Sequence, residues 1–214
     1  MLNPDYINDY GLLNAKKADI NAENAPLWSL EYILLDNSTD LLQKLTIYID
    51  SCRTETPGLF HQLPFKTEVP GDQYMSPDQL IAFIGAFKLS NRQEAINNIW
   101  GYLKKHLFTY DNINPGKINF QRIMQPGVVL FCGLLAGNQW LRPFLSIALI
   151  IACLSSPEAT SGKIKAWVMF KVADMKITEF ICTFIINRNK YLKSWKGVFF
   201  EYFKEEEHPI REKF

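Results

Sequence analysis

The sequence predicts an all-α protein built from antiparallel helical hairpins, arranged as an α-solenoid or an incomplete α/α toroid. Apolar residues recur at spacings of three and four, capping residues precede several of these runs, and very short connections alternate with long ones. Of the 214 residues, 48% are apolar, which is enough for one core. We expect residues 25–206 to form a single domain between an irregular N-terminal arm, 1–24, and a charged C-terminal tail, 207–214.

The first two helices are predicted to form a hairpin. Pro26 suits the first turn of a helix, and Asp36-Asn37-Ser38 both ends that helix and caps the next one. Each helix carries its apolar residues on one face: Leu27, Leu30, Ile33 and Leu34 on the first, then Leu41, Leu42, Leu45 and Ile49 on the second.

A second hairpin is predicted after a long irregular segment, residues 54–75. Ser76-Pro77-Asp78-Gln79 is a capping box with proline in the first turn. Ser90-Asn91-Arg92-Gln93 is interpreted as a second such start, with almost no loop between the helices. The apolar residues again fall at helical spacing: Leu80, Ile81, Ile84 and Phe87, then Ile96, Ile99, Trp100, Leu103 and Leu107.

Two strongly apolar stretches, residues 128–136 and 144–154, follow a turn-rich connection. Each is half of the roughly 20 residues that a membrane-spanning helix needs. We therefore expect no transmembrane segment and interpret the pair as a buried hairpin, turned by Gly137-Asn138-Gln139 and restarted at Pro143. This pair is the predicted core.

The remaining apolar residues predict a fourth hairpin and a last amphipathic helix. Thr160-Ser161-Gly162-Lys163 lacks the upstream glycine of a phosphate-binding loop and is interpreted as the start of a helix. The apolar positions are Ile164, Trp167 and Val168, then Phe180, Ile181, Phe184 and Ile185, then Trp195, Phe199, Tyr202 and Phe203.

Charge and cysteine content exclude several classes of function. Lys and Arg number 23 and Asp and Glu 22, so we expect no nucleic-acid partner. Cys52, Cys132, Cys153 and Cys182 are scattered, as are the three histidines, which predicts free thiols, no metal site and no cofactor. The N-terminus resembles no signal peptide, so we expect synthesis and folding in a cytoplasm.

Polar residues near helix starts are the candidates for a functional site. In an α/α toroid the helix starts and the loops of one rim line a groove, where paired carboxylates suit glycoside cleavage and aromatic rings suit glycan binding. The candidate catalytic residues are Glu23, Glu31 and Asp78, and the candidate glycan-binding residues are Asn24, His61, Gln79, Trp140 and Arg142. Structural roles compete: the helix dipole favours Asp78, Glu31 can extend to solvent, and exposed tryptophans often contact partners.

Five short segments resemble a group of bacteriophage-associated all-α proteins with an arrangement similar to half of a toroid glycosidase or polysaccharide lyase. They are Asn21-Ala22-Glu23-Asn24-Ala25-Pro26-Leu27, Gly58-Leu59-Phe60-His61, Met75-Ser76-Pro77-Asp78-Gln79, Arg122-Ile123-Met124-Gln125-Pro126 and Ser161-Gly162-Lys163-Ile164-Lys165-Ala166-Trp167. In that group the third segment reads Ser-His-Asp-Glu. This chain has Pro77 and Gln79 instead, so the histidine and a carboxylate suited to acid–base catalysis are missing.

The resemblance and this departure together favour a contact function. The leading hypothesis is a phage structural or tail-associated protein, associated with the virion, that binds other protein subunits and keeps a vestigial groove for a surface glycan. One alternative is a carbohydrate-active enzyme, a glycoside hydrolase or polysaccharide lyase, that uses the carboxylates named above. A second alternative is an intracellular helical adaptor.

Overall fold

The computed structural model describes residues 4–14, 25–64, 75–108, 125–155, 158, 160–203 and 210. Within these ranges the chain forms nine α-helices and two isolated β-bridges but no strand, so the all-α prediction is confirmed. The helices are α1 Ala25–Asp36, α2 Thr39–Ser51, α3 Pro77–Leu89, α4 Gln93–Lys105, α5 Pro126–Leu135, α6 Arg142–Leu154, α7 Ser161–Val172, α8 Lys176–Asn187 and α9 Trp195–Tyr202.

The helices pack in successive pairs around α3. Helix α3 contacts α1, α2, α4, α5 and α7, and every residue from Gln79 to Phe87 is buried. Because apolar residues lie on all sides of α3, enclosing it removes the most apolar surface from water. The predicted pairing is confirmed, whereas a solenoid or toroid is not shown by the described residues.

Two predicted helix starts turn out differently. At α3 the capping box is complete: the Gln79 N–H donates to Ser76 Oγ, and the Ser76 N–H donates to Gln79 Oε1. The prediction that Ser90 begins α4 is wrong, because Ser90 closes α3 and donates its hydroxyl to the Ala86 carbonyl. Asn91 then turns the chain in a left-handed conformation, and α4 starts after Arg92 without a side-chain cap.

The other predicted helix caps and turns agree with the structure. Ser38 caps α2, and Thr160 caps α7, as the interpretation of residues 160–163 as a helix start requires. Gly137 has φ of +100° in the turn after α5, and Pro143 lies in the first turn of α6. Turn chemistry therefore sets most of the connections between these helices.

A glycine lets α1 and α3 approach closely. A Cβ atom at Gly85 on α3 would lie 2.4 Å from Leu30 Cδ2 on α1. Leu30 is completely buried, so its side chain does not border solvent into which it could move aside. This contact fixes the spacing of the two helices that carry Glu31 and Asp78.

The outer helices differ in what they present to solvent. Helices α2 and α4 expose mainly polar residues, such as Lys44 and Lys104, whereas α6 and α8 expose large apolar side chains. The prediction that residues 128–136 and 144–154 are both core is right for α5 and wrong for the outer side of α6. A run of apolar residues identifies a helix but does not say how many of its sides are covered.

Part of the predicted N-terminal arm lies against the domain. In residues 4–14, Tyr6, Leu12 and Leu13 are buried, and the Leu13 N–H donates to Ser29 Oγ on α1 at 2.9 Å. The four cysteines are free and buried, as predicted. No helix in the described part of the chain is both long enough and apolar enough to cross a bilayer.

Candidate functional site

Two features of the structure carry functional groups: a carboxylate cluster inside the domain and an exposed apolar face on its outside. The carboxylate cluster consists of Glu31 on α1, Asp78 on α3, Lys165 on α7 and Tyr202 on α9. The packing of α3 and α7 against α1 and of α9 against α7 brings these four elements together.

Glu31 is the most unusual residue of the carboxylate cluster. It has no solvent exposure, and neither carboxyl oxygen has a hydrogen-bond partner among the residues that the structure describes. Burial raises the pKa of Glu31 well above its ordinary value, the negative charge of Asp78 raises it further, and Lys165 lowers it. Because an ionised carboxylate without partners is very costly in an apolar interior, Glu31 is held as the neutral acid. The interpretation that its side chain extends to solvent is wrong.

Asp78 is held by an ion pair. Its Oδ1 lies 2.6 Å from Lys165 Nζ, and the two side chains are only 21% and 14% exposed. Asp78 also stands in the first turn of α3, where the helix dipole favours a negative charge. The structure thus places two carboxyl groups in different environments, one paired with a cation and one without a partner.

Aromatic residues close the cluster on the side of α9. Burial raises the pKa of Tyr202 to about 12, and the charges of Glu31 and Asp78 add to this effect. The Tyr202 ring lies 5.9 Å from the ring of Trp28, which is one turn before Glu31 on α1. Sequence reasoning missed both Lys165 and Tyr202 as site residues: Lys165 stood only within the fifth resembling segment and Tyr202 only among the apolar positions of the last helix. Tertiary packing alone brings them to Glu31.

Two predicted glycan-binding residues, Gln79 and His61, lie where the loop after α2 meets the start of α3. Gln79 is fully buried, and its Nε2 donates to the Gln62 carbonyl at 3.0 Å. The hydroxyl of Tyr48 donates to the same carbonyl at 3.1 Å, and the His61 N–H donates to the Cys52 carbonyl. These bonds attach the loop to α2 and α3. Glu23 and Asn24 lie outside the described residues.

Trp140 and Arg142 stand at the start of α6. Trp140 is exposed and packs edge-on against Phe144, with ring centroids 6.1 Å apart. Arg142 donates to Gln139 Oε1 at 3.3 Å. Helix α6 packs mainly on α5, α7 and α8, so both residues belong to the surface around α6.

The apolar face is the second feature. It is formed by Trp140, Phe144, Ile147, Ile151 and Leu154 in and before α6, and by Ile177, Phe180, Ile181 and Phe184 on α8. These residues are 36% to 79% exposed, and since large apolar side chains offer roughly 150–250 Å² each, the apolar face presents about 1,000 Å². The largest apolar patch of an ordinary monomer is about 300–600 Å². The apolar face is therefore larger than the largest apolar patch of an ordinary monomer.

Helices α6 and α8 hold the apolar face together as one surface. The hydroxyl oxygens of Ser146 and Thr178 are 2.8 Å apart, and the thiols of Cys153 and Cys182 interact with each other further along the same two helices. Ser146 precedes Cys153 on α6, and their partners Thr178 and Cys182 follow the same order on α8. The two helices therefore run parallel. Their exposed sides therefore form two adjacent apolar ridges.

Basic side chains border the apolar face. Arg142 and Lys176 lie at its amino-terminal end, and Arg188, Lys190 and Lys193 follow α8 at the other end. The Arg188 guanidinium stacks on the Phe184 ring, 4.8 Å from its centroid. Residues 142–203 contain nine Lys and Arg against four Asp and Glu, although the whole chain is almost neutral. The net charge of residues 142–203, counted separately from the rest of the sequence, is the signal that could have indicated this basic border.

No protein family, curated protein or solved structure matches the chain. Within the described residues, no group of three or more His, Cys, Asp or Glu side chains could hold a metal ion. Function is therefore inferred from the geometry of the carboxylate cluster and the apolar face.

Proposed function

We propose that this protein is a subunit of a larger protein assembly and attaches to it through the apolar face. The observation that carries the proposal is the area of that face, about 1,000 Å², since a stable interface buries about 800 Å² on each partner. The composition of the face also suits an interface, because aromatic side chains and arginine are enriched in such surfaces.

The contrast among the outer helices supports the same proposal. Helices α2 and α4 carry mainly polar side chains on the sides that face solvent. These two helices show what an outer helix of this chain looks like when its outer side faces water. Helices α6 and α8 break that pattern over their whole length. Another subunit packed on their ridges would cover the exposed apolar side chains of both helices.

The finer proposal is a component of a bacteriophage particle, made in the host cytoplasm and associated with the tail or another part of the virion. It is supported by the resemblance of the five segments described above. A vestigial glycan groove and an intracellular adaptor role are further proposals that the same experiment separates.

The experiment is purification of the native assembly that contains this chain, followed by mass spectrometry to give its composition and stoichiometry. The tagged chain, Ile147→Glu and Phe180→Glu are compared with Ile47→Glu, which places the same charge on α2 at a residue 61% exposed. We expect a fixed stoichiometry that is lost with both face variants and kept with Ile47→Glu. Recovery of both face variants at the wild-type stoichiometry would refute the proposal.

A second candidate function is acid–base catalysis on a polysaccharide, favoured by one observation. Glu31 is a neutral acid beside the Asp78 carboxylate, and pairs of titratable groups with contrasting environments are typical of catalytic acid and base residues. In a screen for polysaccharide cleavage, Glu31→Gln and Asp78→Asn would both abolish turnover, while Glu94→Gln on exposed α4 would not. Wild-type-like turnover by either cluster variant would exclude this function.

A further inference from the structure

The apolar face contains a groove as well as two ridges. Ile150 follows Ser146 by one turn on α6, and Ile181 and Ile185 follow Thr178 by one and two turns on α8. Because Ser146 and Thr178 hydrogen-bond across the pair, these isoleucines lie on the flanks that face the neighbouring helix. Ile150 and Ile185 are half-buried against the core, whereas the ridges beside them are exposed.

The shape of this groove suits a third helix. Parallel ridges with a shallow trough between them are what a packed helix fills, with its own apolar residues at spacings of three, four and seven. Helix α6 has 13 residues and is about 20 Å long, which matches an amphipathic helix of four turns. A flat lipid surface would not require a trough.

The charges around the groove define the chemistry of its occupant. Arg142 and Lys176 border one end, and Arg188, Lys190 and Lys193 border the other. Two carboxylates lie nearby: Asp174, 3.9 Å from Lys176, partly offsets the charge of that lysine, and Glu179 is paired with Lys171. A second copy bound face to face would bring basic ends against basic ends, which is unfavourable.

We infer that the occupant of the groove is an amphipathic helix of another protein, with carboxylates at both ends of its apolar stripe. This inference rests on the proposed function, because it names the partner chemistry of the same face. The apolar stripe supplies contact area in the trough, and the carboxylates pair with the basic residues at its ends. Because four of these basic residues are exposed and Arg142 is partly exposed, their contribution is expected to weaken with salt.

The test measures binding of two synthetic helical peptides of about 18 residues, long enough to cover α6. Both peptides carry the same leucine stripe, flanked in the first and last turns by glutamates in one peptide and by lysines in the other. We expect the purified full-length protein to bind the glutamate peptide at least tenfold more tightly at low salt, with a smaller ratio at high salt. Arg188→Glu combined with Lys190→Glu should reduce the preference for the glutamate peptide, and Phe180→Glu should abolish binding of both peptides.

Three outcomes would overturn the inference. The first is equal or tighter binding of the lysine peptide. The second is Phe180-dependent binding to phosphatidylglycerol vesicles with no binding of either peptide, which would assign the face to a bilayer. The third is a dimer of the purified chain, dissolved by Phe180→Glu but not by the glutamate peptide. If Phe180→Glu disrupts the native assembly but the peptides do not discriminate, only this inference fails; if Ile147→Glu and Phe180→Glu both leave the assembly intact, the proposed function fails.

Discussion

The hydroxyl groups of Ser146 on α6 and Thr178 on α8 lie 2.8 Å apart and hydrogen-bond to each other. Ser146 also donates to the Arg142 carbonyl at 3.0 Å, so Thr178 donates to Ser146 in a short chain of bonds. Thr178 is almost completely buried beneath the apolar face. This link holds the two ridges in register.

Removing one partner of this link should cost more than removing both. Ser146→Ala leaves the buried Thr178 hydroxyl without its partner and should lower the free energy of unfolding by about 1–3 kcal/mol. Adding Thr178→Val removes the orphaned group and should restore much of that loss. Urea unfolding measures both, with Ser155→Ala at an exposed serine as the control. Strictly additive losses would show that the two hydroxyls do not interact.

Glu31 should make stability depend on pH in a defined direction. Because its folded-state pKa is raised above the ordinary value of 4.5, the folded state binds more protons than the unfolded state above pH 4.5. Stability should therefore fall as the pH rises from 4.5 toward the folded-state pKa. Thermal unfolding at several pH values should show this slope in the wild type and a flatter profile in Glu31→Gln. Identical slopes in the two proteins would mean that Glu31 is not held neutral.

Two glycine substitutions in helices should have opposite effects. Gly85→Ala places a methyl group 2.4 Å from buried Leu30 and should destabilise the fold by about 1–3 kcal/mol. Gly101→Ala on α4 meets nothing within 4 Å and should stabilise by about 0.5–1 kcal/mol, because alanine favours the helix. Denaturant midpoints of the two variants test this. Equal effects of either sign would show that α1 and α3 are not closely packed at Gly85.

Most helices could be predicted because their signals are local. The capping box at Ser76, the Ser38 and Thr160 caps and Pro143 each act within one helical turn. The start of α4 was misplaced because a serine at a helix end satisfies the last carbonyls as readily as it caps a new helix. Here Ser90 bonds backward to Ala86.

The candidate site could be predicted only in part, because burial is a property of the assembled chain. Glu31 and Asp78 were found as carboxylates at helical positions, but the pairing of Asp78 with Lys165 depends on how α3 packs on α7. Phe144 was predicted as part of a buried apolar run and Phe180 from its helical spacing, and neither pattern differs between a buried and an exposed side of a helix. The sequence therefore indicated both helices but not that their outer sides are exposed.

The most direct test of the contact function is site-specific photo-crosslinking in the native source. A photoreactive amino acid is placed at Ile147 or Phe180 on the apolar face, or at the control residue Ile47 on α2, and crosslinked products are sequenced by mass spectrometry. We expect both positions on the apolar face to crosslink to one protein subunit in high yield, and Ile47 not to do so. Equal, low-yield crosslinking at all three positions would contradict it, since the face would then be an ordinary solvent-exposed surface.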